Sequence, residues 1–152
     1  MEIINGERLV LGTCYYPEHW DESLWRDDLR RMLENGIEVI RIAEFAWSKI
    51  ERYEGVFNYD FFDRFVDLAE EMGMKVIFCT PTATPPAWLT EKYPEVLNAN
   101  MDGVLYRHGA RRHYNYNSPK YQELTRIIVE KSASHYAKHP AIIGWQIDNE
   151  LN

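Results

Sequence analysis

Apolar positions along the chain alternate between two kinds of pattern. Leu9-Val10-Leu11-Gly12-Thr13-Cys14 is a short, mostly apolar run, as in a strand buried on both faces of a parallel sheet. Over residues 21–35, Trp25, Leu29, Met32 and Leu33 recur at i, i+4, i+7 and i+8. Acids open this stretch, Arg30 and Arg31 lie near its end and Gly36 follows, so it predicts an amphipathic helix with both ends marked. A second strand is predicted over residues 37–42. A second helix over about 59–72 carries Phe61, Phe65, Leu68, Ala69 and Met72 on one stripe and stops at Gly73. A third strand spans 75–80 and a long loop 81–117. Ser118-Pro119 supplies an N-cap and first-turn pair for a third helix ending near His139-Pro140, and a fourth strand covers 142–147.

The stretches Glu34-Asn35-Gly36-Ile37-Glu38-Val39-Ile40 and Glu71-Met72-Gly73-Met74-Lys75-Val76-Ile77 are alike and lie 37 residues apart, an internal α-β repeat. The order β-α-β-α-β-α-β, without a domain boundary, implies parallel strands. It fits a doubly wound sheet or the first half of a (β/α)₈ barrel, whose usual length is about 250 residues. A nucleotide-binding open sheet wants a Gly-rich turn after its first strand. Here that turn reads Tyr15-Tyr16-Pro17-Glu18-His19-Trp20, and no G-x-G-x-x-G or P-loop occurs. The expected fold is therefore α/β, the first four strands of a (β/α)₈ TIM barrel, with residues 1–152 forming the N-terminal half of one catalytic domain.

Composition narrows the function. The 152 residues carry 24 acids against 17 Lys and Arg, a formal net charge of −7, which argues against a nucleic-acid partner. The basic cluster of Arg107, His108, Arg111, Arg112 and His113 among tyrosines does not reverse that balance, and Arg112 reads as a structural partner of a neighbouring acid such as a strand-end carboxyl. The two cysteines, Cys14 and Cys79, form no C-x-x-C pair and read as small buried hydrophobes of a protein from a reducing compartment. With neither a signal-like start nor a run of about 18 apolar residues, a cytoplasmic protein without a membrane partner is expected.

Candidate chemistry collects after the strands, where barrel enzymes build their sites. The first strand leads to Tyr15, Tyr16, Glu18, His19 and Trp20, the second to Glu44, Phe45 and Trp47, and the third to the loop holding Trp88 and residues 106–116. The fourth ends in Asp148-Asn149-Glu150. An Asn-Glu pair there sets a carboxyl beside an amide; in a glycosidase the acid protonates the departing oxygen and later activates water, while the amide holds a sugar hydroxyl. The competing reading is a helix cap. His135 and His139 stand at i and i+4 but lack the Glu of H-E-x-x-H, so they read as charges at a helix C-terminus. Trp25 and Phe65 read as core; Trp20, Trp47 and Trp88 are open to either loop packing or sugar contact.

Six stretches together carry a family resemblance. They are Gly12-Thr13-Cys14-Tyr15-Tyr16-Pro17-Glu18-His19-Trp20, Arg41-Ile42-Ala43-Glu44-Phe45-Ala46-Trp47-Ser48, Glu54-Gly55-Val56-Phe57-Asn58-Tyr59, Thr80-Pro81-Thr82-Ala83-Thr84-Pro85-Pro86-Ala87-Trp88-Leu89, Arg111-Arg112-His113-Tyr114 and Gly144-Trp145-Gln146-Ile147-Asp148-Asn149-Glu150. The chain resembles family 42 β-galactosidases of the glycoside hydrolases over the N-terminal half of their barrel. The resemblance implies a β-galactoside substrate and a retaining mechanism through a covalent galactosyl-enzyme. Glu150 matches the general acid/base, Asn149 the amide that contacts galactose, Arg111 a sugar-binding arginine and Glu44 an acid near the sugar.

Two departures from the family pattern matter. Many members bind zinc through a cysteine cluster, one of whose members directly follows Arg-Arg-His-Tyr; Asn115 stands there here, so neither a metal nor another cofactor is expected. The family's nucleophilic Glu comes from a strand near the end of the barrel, beyond the residues given, so these residues alone are expected to lack activity. Half a barrel leaves two strand edges and an inner face to be covered, by the rest of the same chain or by a second copy. The alternatives are a half barrel that self-associates or binds sugar without cleaving it, and a related retaining enzyme acting on β-mannosides or β-glucosides.

Overall fold

The computed structural model of the chain describes residues 9–110 and 112–150. In chain order its elements are β1 (Leu11–Cys14), α1 (Glu22–Glu34), β2 (Ile37–Ile42), α2 (Trp47–Ile50), β3 (Glu51–Tyr53), β4 (Val56–Phe57), α3 (Asp60–Glu71), β5 (Lys75–Cys79), α4 (Ala87–Lys92), α5 (Pro119–Tyr136) and β6 (Ile142–Gln146). They fall into two compact units. The first comprises described residues 9–43, 59–79 and 136–147; the second comprises 44–58, 80–135 and 148–150, the stretches that follow β2, β5 and β6.

The first unit holds a four-stranded sheet in the order β1-β2-β5-β6, with every pair parallel. Each new strand joins the outer edge of the one before it. A doubly wound sheet reverses its order at a switch point, so this unbroken order is that of a barrel's first four strands. The strands sit close: a Cβ added at Gly12 would lie 3.0 Å from the Val39 carbonyl oxygen, tighter than ordinary van der Waals contact, so this register favours glycine. The α-β repeat is real in three dimensions. Gly36 and Gly73 both take left-handed φ, 77° and 79°, just beyond α1 and α3, where a side chain would be strained.

Helices α1 and α3 form over the predicted spans, but the buried face of α3 is Phe62, Phe65, Val66 and Ala69, rotated from the predicted stripe through Phe61, Leu68 and Met72, which are half-buried. Asp21 caps α1 by accepting the Ser23 N–H at 2.9 Å. Trp25, Leu29, Phe62, Phe65 and Val66 are buried, and Trp25 meets Phe65 edge-on at 5.1 Å while Tyr15 stacks on Phe65 at 5.6 Å. Trp25 and Phe65 are core residues, as their helix positions imply. Phe78 of β5 packs between Tyr136 at 4.6 Å and Trp145 of β6 at 5.5 Å. His139 lies beyond α5, accepts the Ala141 N–H on Nδ1 and donates from Nε2 to Asp67 at 3.1 Å, with Glu70 at 3.7 Å.

Three expectations need correction. The first strand begins at Leu11 rather than Leu9, and its four residues are exposed rather than buried on both faces. It is the edge strand, with β2 as its one ladder partner among the described residues, so burial falls to Val39, Ile40 and Val76 further in. Cys14 is accordingly exposed, its Sγ accepting from Arg41 Nη2 at 2.9 Å; Cys79 is buried as expected. The predicted loop 81–117 is ordered by α4 and by bridges pairing Leu97 with Tyr114 and Ala99 with Leu105. Helix α5 starts at Pro119, with Ser118 Oγ accepting the Tyr121 N–H at 3.4 Å, and ends at Tyr136, short of His139. Among the described residues, no helix is long and apolar enough to cross a membrane.

Replacing Phe65 with alanine removes the ring shared by Tyr15 and Trp25. It should destabilise the protein by about 3–5 kcal/mol, read as a lowered urea midpoint at unchanged slope. A loss below about 1 kcal/mol would show that this cluster does not anchor the helices.

Candidate active site

The chain leaves β6 at Gln146 and turns sharply at Asp148-Asn149-Glu150. Asp148 and Glu150 both take left-handed backbone conformations, φ 53° and 50°, which side-chain-bearing residues adopt at a cost of about 1–3 kcal/mol each. Local partners hold the turn in place. The Asp148 N–H donates to Oγ1 of buried Thr80 at 2.7 Å, and the Asn149 N–H donates to Asp148 Oδ1 at 2.6 Å. Arg112 Nη2 donates to the Asn149 carbonyl at 3.2 Å and stands 4.0 Å from Glu150 Oε2.

Among the described residues, Ala43, Arg112, Asp148 and Glu150 are the non-glycine positions with positive φ. Each either is a sequence-predicted site residue or adjoins one: Ala43 precedes Glu44, Arg112 follows Arg111, and Asp148 and Glu150 flank or include the Asn-Glu pair. Backbone strain thus collects where the sequence places the chemistry.

The side chains differ in access. Glu150 is 61% exposed, so its carboxyl is open to an incoming molecule, whereas Arg112 is 22% exposed and its guanidinium lies alongside. A half-exposed pair at this separation contributes at most about 1 kcal/mol, so Arg112 matters here as a brace for the turn. Asn149 is half-buried and Glu44 is buried at the start of the second unit. The structure brings Asn149 and Glu150 together with Arg112; Arg111 lies outside the described residues. The sequence reading of Arg112 as a structural partner of a strand-end carboxyl matches its position 4.0 Å from Glu150 Oε2.

Beneath the turn lies a layer of hydroxyls. The Tyr121 hydroxyl donates to the Thr82 carbonyl at 2.9 Å, Thr80 and Thr82 hydroxyls lie 3.4 Å apart, and Tyr114 stacks on Tyr121 at 4.8 Å. Burial pushes the Tyr114 and Tyr121 hydroxyls above the usual phenol range, so both remain neutral donors.

Comparison with known proteins decides the family. The family 42 glycoside hydrolase model, described as beta-galactosidase, matches residues 14–152. The chain belongs to glycoside hydrolase family 42. Beta-galactosidase Bga of Halorubrum lacusprofundi is 44% identical over 141 residues, 93% of this chain and 20% of that protein. Beta-galactosidase BgaH of Haloferax lucentense is 44% identical over 143 residues, 94% of this chain and 22% of that protein. The crystal structure of the beta-galactosidase from psychrophilic Marinomonas ef1 superposes with a TM-score of 0.90 at 43% identity, covering 94% of this chain and 22% of that one. The chain therefore spans about a fifth of the length of the relatives it matches.

Against this family background, two features of the chain stand out. Asn115 stands where many family 42 members place a zinc-binding cysteine, and it does not suit that role: its Oδ1 accepts the Asn117 N–H at 2.9 Å, closing a turn. Glu51, which periodicity did not single out, is a buried carboxylate. It accepts from Trp47 Nε1 and from the Gly55 N–H, both at 2.7 Å, while Trp88 Nε1 donates to its backbone carbonyl at 3.0 Å. Trp47 is thereby settled as fully buried packing, and Trp88 is tied to the hairpin of β3 and β4. Trp20, 54% exposed, remains open to solvent. The one sequence signal for Glu51 is its i+4 spacing from Trp47.

Burial holds the Glu51 carboxyl above the ordinary glutamate value of 4.5. Between that value and its raised one, the folded state binds more protons than the unfolded state, so stability falls as pH rises through this window. The slope contributed is at most about 1.4 kcal/mol per pH unit. Glu51→Gln should remove that slope while lowering stability overall, measured by denaturant midpoints from pH 4 upward; an unchanged slope would refute the assignment.

Proposed function

We propose that the complete protein containing this chain hydrolyses terminal non-reducing β-D-galactose from β-galactosides with retention of configuration, Glu150 acting as general acid/base. The observation that carries this reading is the exposed Glu150 carboxyl on a braced, left-handed turn directly after β6, beside Asn149. Family membership and relatives that are themselves named beta-galactosidases support it.

In the first step the protonated Glu150 donates to the departing glycosidic oxygen as a second carboxylate, about 5–5.5 Å away, attacks the anomeric carbon. In the second step Glu150, now ionised, takes a proton from water, and that water cleaves the galactosyl ester. The second carboxylate is contributed by the remaining strands of the barrel, which also pair with the open edges of β1 and β6. Asn149 holds a sugar hydroxyl through its amide, Arg111 binds the sugar, and Glu44 lies close to it. Arg112 keeps the turn in the conformation that presents Glu150. The same reading places the enzyme in carbohydrate metabolism in the cytoplasm, consistent with Cys14 and Cys79 as thiols.

In the complete protein, Glu150→Gln should lower lactose hydrolysis by about 10²–10⁴-fold, since the departing sugar then lacks its proton. Aryl galactosides with acidic leaving groups should still release their phenol in a single burst. Normal lactose turnover in this variant would overturn the acid/base assignment.

A further inference from the structure

Glu150 presents its carboxyl to solvent, so the position of that group is inherited from the backbone of its turn rather than from packing. The backbone is left-handed at both Asp148 and Glu150, a conformation that the surroundings have to hold. The contacts that hold it differ in stiffness. The bond from the Asn149 N–H to Asp148 Oδ1 lies within the turn and moves with it. Arg112 reaches the Asn149 carbonyl at 3.2 Å through a long side chain of several rotatable bonds. Thr80 is of another kind: it is 3% exposed, branched at Cβ and stiff about its one side-chain torsion, and its Oγ1 accepts the Asp148 N–H at 2.7 Å.

Thr80 is in turn supported from within. Its hydroxyl carries one proton and two acceptor lone pairs, so it takes the Asp148 N–H and still faces Oγ1 of buried Thr82 at 3.4 Å. The Thr82 carbonyl accepts from the hydroxyl of buried Tyr121 at 2.9 Å, and that ring stacks on Tyr114 at 4.8 Å. The turn is therefore anchored inward through a buried set of hydroxyls. All of these residues belong to the second unit.

We propose that Thr80 is a positioning residue for the acid/base: buried away from substrate, it fixes the Asp148 N–H and thereby the place from which Glu150 delivers its proton. The inference rests on the galactosidase reading for the proton and on the geometry for the anchoring. Without the Thr80 acceptor the Asp148 N–H loses this partner, and the turn relaxes toward the right-handed backbone usual for both residue types. Proton transfer through a hydrogen bond is sensitive to such a displacement. Galactose contact through Asn149, on the same turn, weakens for every galactoside alike. The role of Thr80 is thus visible as a difference between substrates that need a proton from Glu150 and substrates that do not.

The test uses the complete protein as wild type, Thr80→Val, Thr80→Ala and Thr80→Ser, each checked for folding by its denaturant midpoint. Valine keeps the shape of threonine and removes the acceptor; alanine removes it without crowding and serves if the valine variant does not fold; serine keeps the oxygen and loses the methyl. The quantity read is kcat/KM for lactose, whose departing sugar needs a proton, divided by kcat/KM for dinitrophenyl β-galactoside, whose phenolate departs unaided. Valine and alanine should each lower this ratio about tenfold, and serine should hold it within about threefold of wild type. An unchanged ratio in the valine and alanine variants, whether or not both rates fall, would overturn the proposal, as would a serine variant as impaired as valine; Thr80 would then be a packing residue. A wild-type protein that cleaves neither galactoside would sink the galactosidase reading, and this inference with it.

Discussion

The hydrogen bond from the Asp148 N–H to the buried Thr80 hydroxyl is the contact on which the site depends. It ties the turn that follows β6 in sequence to the residue that follows β5 in sequence. Asp148 and Glu150 are held in a left-handed conformation that is uncommon for aspartate and rare for glutamate. Thr80 supplies the acceptor, Asp148 itself satisfies the Asn149 N–H, and Arg112 closes the outer side through the Asn149 carbonyl. The hydroxyl layer of Thr82 and Tyr121 keeps this support hydrogen-bonded away from water. The result is a carboxyl that is solvent-accessible yet fixed by its backbone, which a proton donor to an incoming glycosidic oxygen requires.

Much of the scaffold was legible in the sequence because its signals are local. The Trp25, Leu29 and Phe65 stripes, the Asp21 cap and the paired glycines Gly36 and Gly73 each act within one element, and the elements appear where those residues put them. The strands after the first follow the same logic. What local pattern could not show was burial decided by neighbours: the run ending in Cys14 reads as doubly buried, but as an edge strand it is exposed. Short elements escaped for a related reason. Helices α2 and α4 and the hairpin of β3 and β4 have too few residues for a period, and they are held by Trp47, Glu51 and Trp88 bonding across the segment.

The site was legible in part. Asn149, Glu150 and Glu44 stand after strands in the sequence, as they do in the structure. The backbone strain was not legible, because Ala43, Arg112 and Glu150 are residue types that rarely take positive φ and Asp148 is of a type that takes it only where its side chain bonds locally. The structure also separates the basic cluster into roles. Arg112 braces the turn, while the His108 and His113 rings meet edge-on at 4.8 Å and each bonds through Nδ1 to a neighbouring oxygen.

The central claim is that Glu150 moves the proton in both steps of a retaining galactosyl transfer. The most direct measurement is azide rescue of Glu150→Ala in the complete protein with an activated aryl galactoside. Azide needs no general base, so the account predicts restored turnover and β-galactosyl azide as the product identified by NMR. Failure of azide to restore turnover, or an α-configured azide, would contradict it.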